Sequence, residues 1–429
     1  MINHETTSQT TGLVFGENIA AFGVGAAIAL MEQNIPVDTA LAYGTGVLDA
    51  MLLATGDIAA MRAAWETPDT FNAIFAKTAQ LAERLASGRE NMSGAVREAA
   101  IEAALNEPDA LKIIADLHRV FDEKAIRQSK LHVVIMTVPE NETEAKLVPL
   151  EAIPEGKLFA AVLRAATLPT LVADAHGRYQ RRYPEEIGLS YLSEAGIPDV
   201  ITVGLSPTLS CPRYMRRIVI ESSEYLDVSF DTTKAQNERE ITLGRLDTLK
   251  ALGLLEGHDY YIDPKGEHAV FDALVDALDK NPVPLTDTIP EETDEDLMSA
   301  VLRLLRQTAY SLAPNRMLSL LEIAAKQSGV PRLAIYTPDA FIAAMLDALS
   351  DTLSRHRLAL SPDHDLLSVY FHPAEENKNV PKFCLAYVLF LRDKNHLSVN
   401  DEKAVLRAMS AEERLALFML INIHCLYDE

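Results

Sequence analysis

The stretch "DTALAYGTGVLDA", Asp38 to Ala50, decides how the chain is read. A short apolar run, "DTALAY", meets a glycine cluster and passes straight into helix-like "VLDAMLLATGD", closed by glycine. A sharp strand-to-helix turn of this kind is where a G-x-S-x-G elbow holds a serine hydroxyl at the C-terminal edge of a sheet, close to helix-terminal N–H groups. Here the turn carries glycine where such a serine would stand. The preceding residues repeat the unit: "GLVF" ends at Gly16, and "NIAAFGVGAAIALMEQN" predicts a helix closed near Asn34, which Pro36 keeps from continuing. Two strand–turn–helix units in succession imply a parallel sheet with crossover helices.

Outward from this pair the alternation persists. Residues 58 to about 130 are rich in Ala, Leu, Glu and Arg with a 3.6-residue period, which predicts several amphipathic helices. "LHVVIMTV" returns to a strand, "KLFAAVLRAATLP" predicts a helix stopped by Pro169, and "DVITVGLS" and "RRIVIES" are further buried strands. The acid- and proline-rich "NPVPLTDTIPEETDED" has the composition of a linker, and a boundary between 265 and 290 follows from it. We therefore expect a core over 1–265 and a mostly helical region over 266–429, where Thr337 and Pro338 form an N-cap and N1 pair.

A hydrophobic fraction of 48% over 429 residues describes a folded chain, long enough for one large domain with an appendage or for two. The formal charge of -23 opposes phosphate backbones and anionic bilayers, so nucleic acid is excluded as an expected partner. The basic clusters "RYQRR" and "RYMRR" fit solvated or ion-paired arginine better than an anion site. Cys211, Cys384 and Cys425 are odd in number and lack C-x-x-C spacing, which encodes neither a disulfide framework nor zinc and fits a reducing cytosol. His364, His372, His424 and Cys425 lack metal-ligand spacing, "EETDED" lacks the glycine of a calcium loop, and no cofactor is expected. The polar N-terminus carries no signal-peptide core and no run is long enough to span a membrane, so a cytoplasmic location is expected, with export by a signal-independent route left open.

The order and spacing of these segments resemble the bacterial patatin-like phospholipases. That family runs through a strand, a G-G-G-x-R-G anion loop, a helix, "IP-x-D" and G-x-S-x-G, and this chain has "FGENIAAFGVGAAIALMEQNIPVDTALAYGTGVLDAMLLATG" in the same order. Arg164, Ala165 and Pro169 fill the family's R-A-S-x-x-x-P pattern, and "LGRLDTLKALGLLEGHDYYID" is similar to the tail of bacterial members, so the likeness covers roughly 11 to 263. It implies a three-layer α/β/α core with a mostly parallel sheet, followed by a helical C-terminal region.

The same resemblance implies missing chemistry. An ungapped alignment of "VLDA" puts Gly44 on the nucleophile, and a shifted one puts Gly46 there. Neither has a side chain that can attack an ester. Gly16 survives from the anion loop, while Glu17, Asn18, Ile19 and Ala20 stand in place of G-x-R-G, with a carboxylate where negative charge would develop. Thr45 beside the elbow is a conceivable substitute nucleophile, though turn stabilisation explains it as well. Asp174 is the candidate base near the shortened loop after Gly177, against a loop or capping role. The leading expectation is thus a catalytically inactive patatin-like protein that binds a lipid or an acyl chain in a remnant pocket, or a protein partner. The alternatives are an acyl hydrolase with an unrecognised nucleophile and a structural or assembly protein.

Overall fold

The structure, a computed structural model, describes residues 10–17, 19–66, 68–87, 94–139, 142, 144–172, 184–226, 232–283, 297–355, 385–386, 388–389 and 398–428. They divide into two compact units, Met1–Gly253 and Leu254–Glu429.

The first unit begins with β1 (Thr11–Phe15), α1 (Ala20–Glu32), β2 (Thr39–Ala42) and α2 (Gly46–Thr55), the two strand–turn–helix units expected above. Helices α3 (Ile58–Glu66), α4 (Asp69–Ser87), α5 (Gly94–Leu105), α6 (Pro108–Val120) and α7 (Glu123–Gln128) follow. The chain then forms β3 (His132–Thr137), β4 (Lys146–Pro149), α8 (Leu158–Ala166), α9 (Leu168–Val172), α10 (Pro184–Glu194), β5 (Asp199–Val203), β6 (Arg216–Ile220) and α11 (Lys234–Ala251). Pro169 does not stop the "KLFAAVLRAATLP" helix: α8 ends at Ala166, and Pro169 stands in the first turn of α9, where its missing N–H has no intrahelical partner to lose.

The six strands lie in the order β4-β3-β2-β1-β5-β6. Every pairing is parallel except β3 with β4. Helices flank the sheet to give a three-layer α/β/α core. β1, β2 and β5 are buried along their whole length, which explains their continuous apolar or small-residue sequence. β4 is the antiparallel edge strand that its short, half-exposed "KLVP" did not announce. From β1 the chain steps outward through β2 and β3, then returns to place β5 on the other flank of β1. Strand order therefore reverses between β1 and β5, and in open α/β sheets a crevice opens outside the carboxyl ends of the strands at such a point.

α1 lies against α11 closely enough that a Cβ at Gly25 would fall 2.1 Å from the carbonyl oxygen of Ile241. This backbone-to-backbone packing holds the middle of α1 against α11.

The second unit holds α12 (Ala269–Lys280), α13 (Leu297–Leu305), α14 (Arg316–Ser328), α15 (Pro338–Arg355), α16 (Val399–Ala408) and α17 (Ala411–Asp428) around a shared apolar core. Thr337 Oγ1 accepts the Ala340 N–H at 3.1 Å, capping α15 as its sequence predicts. A two-strand parallel pair, β7 (Tyr261–Ile262) with β8 (Ile335–Tyr336), is the non-helical feature that periodicity missed.

Candidate functional site

The carboxyl ends of β1, β2 and β5 converge on a knot of close backbone contacts. The Gly16 N–H donates to the Val203 carbonyl at 2.9 Å, and a Cβ at Gly46 would meet the Gly16 carbonyl oxygen at 2.3 Å. Between β2 and α2 the turn has its apex at Gly44, whose φ of +57° lies in the left-handed region. Ordinary residues adopt that region at a cost, and a serine on an elbow does so only because the surrounding structure forces it. Gly46 has no such φ and opens α2. Of the two glycines that sequence reading leaves as alternatives, Gly44 is the one at the apex.

The space above that apex is filled. A Cβ built at Gly44 would come 2.7 Å from the Cβ of Glu17 and 3.6 Å from Pro169 Cγ. A nucleophile could not be seated there without moving the 16–19 segment. Ile19 is buried as well, its Cγ2 only 2.0 Å from where a Cβ of Gly204 would stand. Gly204 has a φ of +70° and no side chain, so it is the residue that lets Ile19 close over the end of β5. α1 starts at this point with Ile19 as N-cap, giving no side-chain cap and no acidic residue in the first turn. Thr45 is the N-cap of α2; its side chain makes no capping bond, while its carbonyl accepts the Leu48 N–H at 3.0 Å. Asn18 and Asp174 lie outside the described residues, as do His364, His372, Cys384 and the "RYQRR" segment. Arg164 of the R-A-S-like pattern is buried and paired with Glu102 of α5 at 2.7 Å, a contact that joins two helices.

Beside the filled elbow a crevice of about 490 Å³ remains, in the size range of small-molecule clefts. Glu17 and Ile19 come from the β1–α1 turn and Phe22 from the first turn of α1, Gly204 to Pro207 follow β5, and Glu221, Ser222 and Leu226 follow β6. It therefore sits at the strand-order reversal between β1 and β5. The turn after β5 is braced by Arg217, which donates to the carbonyls of Ser206 (2.8 Å) and Leu209 (3.1 Å) and to Thr202 Oγ1 (3.0 Å). Arg216 of the same "RYMRR" cluster pairs with Asp199 at 2.6 Å.

Asp49 is the residue that sequence reasoning missed. It stands on α2 inside "VLDA", 1% exposed, and neither carboxyl oxygen has a hydrogen-bond partner among the described residues. Burial alone pushes its pKa well above the usual carboxylate range. A Cβ at Gly23 would come within 2.2 Å of Asp49 Oδ2 and 2.8 Å of Ile19 Cδ1, so Asp49 and Ile19 share the space over the first turn of α1. An acid in a helix that is otherwise apolar on every side was the available signal.

A separate polar cluster lies in the second unit. The carboxylate of Glu322, on α14, accepts the N–H groups of His258 (2.8 Å), Asp259 (3.0 Å) and Tyr260 (2.8 Å). Three successive amides form a concavity of the kind that holds anions, and here the chain's own carboxylate occupies it. Asp259 is half-buried, and burial raises its pKa. The hydrogen bond from Tyr310 (2.7 Å), the Lys326 charge and the hydrogen bonds from His258 (3.0 Å) and Lys326 (3.2 Å) outweigh that and hold it at about 2. These bonds tie α14 to the 256–262 turn. Among the described residues no group of three or more His, Cys, Asp or Glu is placed to hold a metal ion, and no helix is long and apolar enough to cross a membrane.

Comparison with protein-family models, with curated proteins and with solved structures finds no significant match to this chain.

Proposed function

We propose that this chain is a non-catalytic binding protein built on a patatin-like α/β core, and that its ligand occupies the crevice beside Gly44. The observation that carries the reading is the elbow itself: glycine at a left-handed apex, with Glu17 and Pro169 filling the place of a reacting side chain. Covalent acyl transfer needs a nucleophile, a base to activate it and donors for the oxyanion. At the elbow apex the first is absent, because Gly44 has no side chain, and Glu17 puts negative charge beside the place of the third. A fold outlives such losses because its stability resides in the sheet and the helices while activity depends on a few residues at strand ends. The crevice offers an apolar strip of Ile19, Phe22, Leu205 and Leu226 for a lipid or an acyl chain, beside polar Glu17, Ser206, Glu221 and Ser222.

The experiment is turnover of short-chain p-nitrophenyl esters by the purified chain, in parallel with Gly44→Ser. The reading expects the parent to stay at the uncatalysed rate. Ester hydrolysis that saturates with substrate and survives repurification would replace it with the hydrolase alternative.

A further inference from the structure

We infer that Ile19 is a pH-operated latch: while Asp49 is protonated the start of α1 stays closed over it, and as pH rises the first turn of α1 loosens and admits water from the crevice. Three contacts build the device. Asp49 is 1% exposed and neither oxygen has a partner among the described residues, so the closed state holds the acid without its charge. A Cβ at Gly23 would lie 2.2 Å from Asp49 Oδ2 and 2.8 Å from Ile19 Cδ1, so both side chains close on one point of the first turn of α1. Ile19 also lines the crevice, which makes it the side chain that keeps water from the acid on that flank.

This end of α1 is the part that gives way. The helix starts at Ile19 with no side-chain cap, and the bond from the Gly23 N–H to the Ile19 carbonyl is long at 3.4 Å. A helix end held in this way opens more readily than the sheet behind it, whose strands β1 and β5 are buried throughout. The elements packed against α2 carry few charged groups: Glu32 on α1, paired with Arg245; Arg62 and Glu66 on α3; Glu123, Lys124 and Arg127 on α7; Arg164 on α8, paired with Glu102; and His132 on β3. Glu17 adds one from the turn over Gly44. None of them replaces the lost water, and burial is the cause of the acid's raised pKa. Once the turn opens, the carboxyl meets water and titrates near its ordinary value of about 3.9. The closed form keeps the proton and the open form releases it. Each pH unit above about 4 therefore favours opening by a further factor of about ten, until the closed form itself ionises.

The test is amide hydrogen exchange of the full-length protein from pH 5 to 8, read at Gly23, Val24 and Gly25 and corrected for the intrinsic exchange rate. Protection there should fall about tenfold per pH unit in the parent and stay constant in Asp49→Asn. At every pH it should be lower than at Leu13 and Ile201 of the central strands. Ile19→Ala should lower protection at the same three amides at every pH without abolishing the slope. Because the slope is read on the parent alone, a variant that fails to fold does not shield the latch from refutation. Protection that does not vary with pH in the parent would overturn the inference, as would a slope that Asp49→Asn keeps. So would equal protection at Gly23 and Leu13, which would mean that the acid meets water only when the whole unit unfolds. An Ile19→Ala variant whose α1 amides exchange as in the parent would remove Ile19 from the latch.

Discussion

Replacing Asp49 by Asn tests whether a neutral acid is buried in the elbow helix. In the folded chain its carboxyl is raised well above the usual range by burial, while in the unfolded chain it titrates near 3.9. Above about pH 4 the unfolded state releases a proton that the folded state keeps, so the folded state loses stability as pH rises. The slope is about 1.4 kcal/mol per pH unit, and it continues until the folded carboxyl itself ionises. For a unit of about 250 residues, 1 kcal/mol moves the midpoint by about 2–4 °C, so each pH unit is worth roughly 3–5 °C. Asn has nearly the same shape and does not titrate. The difference in midpoint between Asp49→Asn and the parent should therefore be small near pH 4 and grow in favour of the variant toward neutrality. Scanning calorimetry of both proteins from pH 4 to 8 measures it. A difference that stays flat, or a variant less stable than the parent at pH 7, would refute the reasoning, because it would mean that Asp49 is ionised and held by a charge.

At the elbow, Gly44→Ala should destabilise by roughly 1–3 kcal/mol for the left-handed backbone, with more added because its Cβ would press on Glu17 at 2.7 Å. Gly44→Val should be worse still, and thermal midpoints equal to the parent's would remove the elbow from the account. Gly44→Ser should not restore ester turnover, since Glu17 and Ile19 still occupy the anion loop; single-mutant activity above background would show that only the nucleophile was missing. In the second unit, Glu322→Ala strands three amide N–H groups, of which that of Tyr260 is buried, and should cost about 1–3 kcal/mol, with Glu322→Gln intermediate because one acceptor oxygen remains; unchanged denaturant midpoints would contradict this. Asp259, whose folded pKa is depressed to about 2, stabilises the fold above about pH 4, and that contribution is lost as pH falls toward 2. After allowance for its half-exposure the amount is about 1 kcal/mol, so Asp259→Asn should unfold over a flatter acid limb than the parent, as followed by circular dichroism.

The α/β layering was legible in the sequence because its signals are local and mutually consistent. "GLVF" and "DTALAY" are strands uniform enough to be buried on both faces, and each runs into a glycine and then a helix, which leaves a parallel sheet as the simplest solution. β4 escaped notice because a four-residue edge strand paired to one neighbour needs no apolar run. Pro169 misled for a physical reason: proline ends a helix and begins one with equal ease, and only the chain's path tells which. The elbow glycine was visible, but what fills the space above it was not. That Glu17 packs on Gly44 and Ile19 on Gly204 depends on contacts between segments 27 and 185 residues apart in the chain, which no single-sequence pattern carries. Asp49 was written in the quoted stretch and passed over, because burial without a partner is a property of the packed structure.

The central claim is that no reacting side chain stands at the elbow apex, and one measurement meets it head-on. The purified full-length protein is incubated with an excess of an alkyl fluorophosphonate and its intact mass is read after removal of reagent. The account predicts an unmodified mass at every time point, with Gly44 flanked by Glu17 and Pro169 offering no nucleophile. A stoichiometric phosphonyl adduct, mapped to Thr45 or to any other hydroxyl near the crevice, would contradict it.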